Sequence, residues 1–93
     1  MTTWTLTTSS PDAERVTMGS ARDPRRARRD LVAAARTQMQ HAPAAGTPRY
    51  VLHQDGVIVA IIQTGLTEAG TPDHAGAAGM LDRLDHSRKP FED

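Results

Sequence analysis

The segment Tyr50-Val51-Leu52-His53-Gln54-Asp55-Gly56-Val57-Ile58-Val59-Ala60-Ile61-Ile62 constrains the fold more than any other stretch of this chain. A two-residue type I′ turn needs positive φ at both central positions, and Asp-Gly tolerates that well. Two β-prone runs flanking such a pair form a β-hairpin. A plain two-residue turn sets Gln54 opposite Val57, Leu52 opposite Val59 and Tyr50 opposite Ile61. One face then carries Tyr50, Leu52, Val57, Val59 and Ile61, and the other carries Val51, His53, Ile58, Ala60 and Ile62.

Both faces are apolar, which is unusual for an antiparallel pair. A sheet with helices on one side alternates apolar-in and polar-out. Val51, Ile58, Ala60 and Ile62 therefore need a cover. Either two helices pack on opposite faces of the sheet, or both pack on one face and a second copy of the chain or another protein covers the other. Size favours the second solution. Ninety-three residues make one domain, and this one has a single Trp, a single Tyr, a single Phe and four Met with which to fill its core. Small cores of this kind often need oligomerisation. Burying the four side chains contributes on the order of 4–8 kcal/mol before association costs. The expected interface is Val51, His53, Ile58, Ala60 and Ile62 in a homodimer. If it forms there, protonation of His53 opposes it, and the alternative is a hydrogen-bonded histidine at a rim.

The remaining elements follow from local chemistry. Trp4-Thr5-Leu6-Thr7-Thr8 and Arg15-Val16-Thr17-Met18 alternate as strands around the turn residues Ser9 to Ala13. They predict a loose hairpin with Trp4, Leu6, Val16 and Met18 inward and Thr3, Thr5, Thr7 and Thr17 outward. Asp23-Pro24 starts a helix, with Asp23 as cap and Pro24 where its missing N–H costs nothing. That helix is predicted to reach about Gln40 with Ala27, Leu31, Ala34, Ala35 and Gln38 on one side. Thr71-Pro72-Asp73 starts a second helix, predicted to about Arg88, with Ala77, Met80, Leu81 and Leu84 on one face. Gly76 and Gly79 weaken it or admit a close neighbour. Asp82–His86 and Asp85–Lys89 are spaced as i,i+4 pairs. The expected fold is α+β, order ββαββα: a four-stranded, mainly antiparallel sheet with two helices over residues 1–86, and a disordered tail over 87–93. The strand–strand–helix unit occurs twice, by duplication or by coincidence.

Charge is balanced overall but divided. Residues 1–49 hold eight Arg against four acids, and residues 50–93 hold three basic residues against seven acids. Five Arg fall within positions 22–29, at a helix start where the macrodipole disfavours cations. Arg22, Arg25, Arg26, Arg29 and Arg36 thus form a candidate anion- or nucleic-acid-binding surface. The other reading is a solvated face in a chain whose preference for Arg and Ala reflects a GC-rich bacterial genome. A net charge of zero and the lack of aromatics in the run weigh against base stacking.

Chemistry-bearing constellations are missing. The absence of Cys excludes disulfides and thiolate metal sites. His41, His53, His74 and His86 are scattered without metal-ligand spacing. There is no phosphate-binding glycine loop, nucleophile elbow or zinc-protease motif. The longest apolar run is the six residues Val57 to Ile62, far short of a membrane span, and the first residues lack the pattern of a signal peptide. The expectation is a cytoplasmic, non-catalytic binding or regulatory module with no cofactor and no metal. Its expected partner is itself or another protein, with nucleic acid as the alternative and no membrane.

Overall fold

In a computed structural model, described here over residues 1–10, 13–41 and 46–86, the elements run β1 (Thr2–Ser9), β2 (Glu14–Ala21), α1 (Pro24–Gln40), β3 (Arg49–Gln54), β4 (Val57–Gln63) and α2 (His74–His86). The four strands form one antiparallel sheet in the order β2-β1-β3-β4. This is the ββαββα, α+β architecture read from the sequence. The expected tail 87–93 and the Asp85–Lys89 pair lie outside the described residues. No helix among the described residues is long and apolar enough to cross a membrane.

α1 carries the chain from edge strand β2 across β1 to β3, and packs on all three. Its start is as the sequence implies: Asp23 Oδ1 accepts the Arg26 N–H at 2.8 Å, and Pro24 opens the first turn. α2 packs on β4 and on α1. Its cap is Asp73, whose Oδ1 accepts the Gly76 N–H at 2.9 Å. The Asp73 carboxylate folds over the place a Cβ of residue 76 would occupy. Gly79 faces open space among the described residues, which leaves the other reading, a glycine that weakens the helix.

Both helices lie on the same side of the sheet. Leu6, Tyr50, Leu52 and Ile62 from the strands meet Leu31, Val32, Ala35 and Met39 of α1 and Ala77 and Leu81 of α2 in one buried cluster. The α1 stripe therefore includes Val32 and Met39 beyond the alanines and Leu31 expected, with Ala34 and Gln38 at its half-buried margin. Met80, expected inward on α2, is exposed.

Two registers differ from the expected ones. In the first hairpin Ser9 pairs with Glu14, so four residues close the turn. An even-numbered loop pairs even residues of one strand with odd residues of the next. Trp4 faces Gly19 and Leu6 faces Thr17, which turns Val16 and Met18 outward with Thr5 and Thr7, and Thr17 inward. In the second hairpin the type I′ turn forms as expected, with Asp55 at φ 52° and Gly56 at φ 79°. Asp55 also fastens the turn to β1: its N–H donates to the Thr3 carbonyl at 2.8 Å and its carboxylate accepts the Thr3 N–H at 2.9 Å. Beyond the pair His53–Ile58, however, the register slips, and Leu52 pairs with Ala60, Val51 with Ile61 and Tyr50 with Ile62. Val59 is the extra residue of a β-bulge.

Candidate interaction surface

The bulge redistributes the apolar run Val57 to Ile62. Ala60 and Ile62 turn to the helix side, where Ile62 is buried in the core and Ala60 packs against it together with Val59. Two of the five residues expected at an interface are thus core residues. Ile61, expected inward, faces out. The reason is the bulge: one inserted residue reverses the facing of every position after it. Val51, His53 and Ile58 keep the outward positions read from the sequence.

On the side away from the helices, cross-strand pairing sets up three rows across the sheet. Met18, Thr5, His53 and Ile58 form the first; Val16, Thr7, Val51 and Ile61 form the second; Glu14, Ser9, Arg49 and Gln63 form the third. Opposed positions in such rows have Cβ atoms about 5 Å apart, so each row is a continuous strip. The outer ends of the first two rows are exposed and apolar: Met18 is 71% exposed, Val16 52%, Ile58 55% and Ile61 47%. Thr5, Thr7, Val51 and His53 between them are half-buried. Charge lies at the two ends of this face: Glu14 and Arg49 in the third row, and beyond the first row the Asp55 carboxylate, which accepts a hydrogen bond from the hydroxyl of Thr3, the partner of Ser20, at 3.2 Å. Two rows without a carboxylate, lysine or arginine thus carry exposed apolar side chains at both edges of the sheet. The outward facing of Val16 and Met18 follows from the pairing of Ser9 with Glu14, which shortens the turn expected over Ser9 to Ala13 by one residue and so reverses the parity of β2.

The five candidate arginines fall in two settings. Arg22, Arg25, Arg26 and Arg29 are exposed. Arg36 is instead committed to the second helix, its Nη2 donating to Asp82 Oδ1 at 2.7 Å. Arg28, of the same run, is buried. The shallow hollow bordered by Arg22 and Arg26 is also lined by Asp30, whose carboxylate opposes an anion there. Among the described residues no group of three or more His, Asp or Glu side chains is arranged to hold a metal ion.

At the end of the sheet farthest from the Asp55-Gly56 turn, the helix side holds a second feature. A hollow of about 240 Å³ is lined by Thr8, Ser10, Ala13, Arg15, Gln38, His41, Gly46, Pro48 and Tyr50. Burial raises the pKa of the Tyr50 phenol above its ordinary value of 10.0, so the hydroxyl stays protonated. His41 Nδ1 lies 2.8 Å from the Thr37 carbonyl oxygen; since that oxygen only accepts, the ring hydrogen is on Nδ1.

No protein-family model matches the chain, and no curated protein or solved structure matches it.

Proposed function

We propose that this chain is a non-catalytic binding module that acts as a homodimer, its two copies meeting through the helix-free side of the sheet. The observation that supports this is the pair of uncharged rows ending in exposed Met18, Val16, Ile58 and Ile61. The face is self-complementary. A twofold axis parallel to the strands lays each copy's β2 on the other's β4, bringing Val16 toward the partner subunit's Ile61 and Met18 toward the partner subunit's Ile58. The charged third rows then stay at one rim, where water reaches them. Antiparallel strands about 4.8 Å apart give a four-stranded face roughly 20 Å wide. Burying it on both copies removes on the order of 1,000 Å² from water, just below the roughly 1,200–2,000 Å² of stable specific interfaces and in the range of weak, transient ones. Each of the four partly exposed side chains per copy contributes about 1 kcal/mol, about 8 kcal/mol for the pair of copies before association costs, so the dimer is expected to be weak, with a dissociation constant well above micromolar.

Light scattering at micromolar to submillimolar concentration tests the reading. The wild-type chain should pass from monomer to dimer over that range. Ile58→Glu and Ile61→Glu should each remain monomeric while keeping the wild-type circular dichroism, because both side chains lie outside the core. A folded wild-type chain that stays monomeric throughout removes the proposal. Arg25→Glu combined with Arg29→Glu should leave association unchanged. If that pair instead abolishes a salt-sensitive nucleic-acid complex seen with wild type, the arginine face is the functional one.

A further inference from the structure

We propose that the outer edge of β2 is a docking site for an extended acidic peptide, which joins the sheet as a fifth strand. β2 is an edge strand, and all eight of its residues pair with β1 in unbroken register, from Thr2–Ala21 to Ser9–Glu14. Ser10 and Ala13 exchange backbone hydrogen bonds at 2.8 and 3.3 Å, while Thr3 bonds to Asp55 on the β3 side. Bonded and unbonded pairs alternate along an antiparallel ladder. Thr8–Arg15, Leu6–Thr17, Trp4–Gly19 and Thr2–Ala21 are therefore the bonded pairs. The N–H and C=O groups of Glu14, Val16, Met18 and Ser20 point away from β1, to a side where no strand of the described residues meets them.

Such an edge is a template for another strand, and native proteins blunt it with proline, lysine, a bulge or a very short strand. β2 has none of these: it is eight residues long, unbulged, and contains neither Pro nor Lys. The opposite edge does carry one, the bulge at Val59 of β4. When a peptide adds to an edge, backbone bonds supply affinity and the side chains at alternate positions select the partner. On the helix-free side the new strand meets exposed Val16 and Met18, which favour β-branched apolar residues opposite them. On the helix side it meets Arg15, Thr17 and Gly19. Arg15 is exposed and has no ion pair among the described residues. The Trp4 indole lies over the place of the missing Gly19 side chain, so an apolar residue opposite Gly19 lands on that ring. Ser20 and Ala21 border a hollow shared with Arg22, Arg26 and Asp30. The helix-side flank thus holds three arginines against one carboxylate and favours an acidic peptide. Glu14 lies on the other side, where it accepts the Ser9 hydroxyl at 3.3 Å. The edge binds through backbone groups in the plane of the sheet, whereas the dimer face lies across that plane, so neither proposal depends on the other.

The test uses the full chain and the end-blocked peptide Glu-Thr-Leu-Val-Thr-Val-Glu-Thr, whose residues fall opposite Ala21 through Glu14 when it pairs antiparallel. A control peptide has Lys in place of both Glu. The emission of Trp4, the sole tryptophan, should shift saturably to the blue with the acidic peptide. Amide chemical-shift changes should centre on β2, and the N–H groups of Val16, Met18 and Ser20 should exchange with solvent at least tenfold more slowly. The Lys peptide should bind about tenfold more weakly, since it sets like charges opposite each other. Arg15→Glu should shrink that preference severalfold. Val16→Pro removes an outward N–H and no bond to β1, so the chain should stay folded and lose the peptide. No saturable change, equal binding of the two peptides, shifts centred on β4, or undiminished binding to a folded Val16→Pro chain would each overturn the proposal. Slow exchange of the same three amides without peptide, deepening with protein concentration, would overturn it as well, because the edge would then be filled by another copy of the chain.

Discussion

Gly19→Ala is the substitution whose outcome is most tightly bound to the observed register. Gly19 lies on edge strand β2 directly opposite Trp4, and a Cβ built there comes within 2.5 Å of Trp4 Cε2 and 2.8 Å of its Nε1. Ordinary van der Waals contact begins near 3.4 Å, so the indole must withdraw by about 1 Å. It cannot move inward, because it packs on the buried cluster around Leu6 and Leu52. It must lift away from the sheet. Overpacking of this kind costs about 1–3 kcal/mol. Replacing a strand glycine returns roughly 0.5–1 kcal/mol. The net expectation is a loss of about 1–2 kcal/mol, or a melting temperature lower by roughly 4–16 °C in a domain this size. Thermal unfolding followed by circular dichroism measures it. Trp4 is the sole tryptophan, so its emission reports the displacement directly and should shift to the red. Trp4→Leu combined with Gly19→Ala should recover part of the loss, since the two changes share one contact. If Gly19→Ala is as stable as wild type and its emission is unchanged, the pairing of Trp4 with Gly19 is wrong. The outward facing of Val16 and Met18 would fall with it.

The other expectations are smaller. Tyr50→Phe removes a buried hydroxyl with no partner, so chemical denaturation should show it neutral or more stable by about 1 kcal/mol. Tyr50 also sets an alkaline limit. Its ionisation is raised by burial, so the stability it contributes is complete below pH 10.0 and is lost as pH rises above that value; the Phe variant should lack this component of the pH profile. Arg36 and Asp82 form an ion pair whose side chains are 42% and 58% exposed, and a double-mutant cycle to Ala should give a coupling of only about 0.2–1 kcal/mol, smaller at high salt.

How far the sequence could be read depended on how local each signal was. The starts of both helices and the Asp55-Gly56 turn were legible because each is decided by two or three adjacent residues. Asp23 and Asp73 cap the helices they precede, and Asp55 and Gly56 have the positive φ that their types allow. Which side of the sheet a residue faces was less legible, because it depends on counts that extend along a strand. The four-residue turn 10–13 reversed the parity of β2 relative to β1, and one bulge at Val59 reversed β4 beyond it. A run such as Val57 to Ile62 carries no alternation that could fix its own register. With every residue apolar, the bulge brings Val59, Ala60 and Ile62 to the core and leaves Ile58 and Ile61 outside. Val51, His53 and Ile58 stay on the helix-free side as read, and Val16, Met18 and Ile61 lie there in place of Ala60 and Ile62. The arginine run was visible as composition, but its division into four exposed residues, one ion-paired to α2 and one buried, depends on how α1 meets the second helix. The Thr8–Tyr50 hollow had no sequence signal, since it joins side chains 42 positions apart.

The most direct test of the dimer is an isotope-filtered nuclear Overhauser spectrum of labelled and unlabelled chains mixed at high concentration. Methyl protons of Val16 and Met18 should show cross-peaks to Ile61 and Ile58 of the other copy, and none should arise from helix residues. A spectrum without intermolecular peaks at these methyls, or with peaks confined to α1 and α2, would contradict the account.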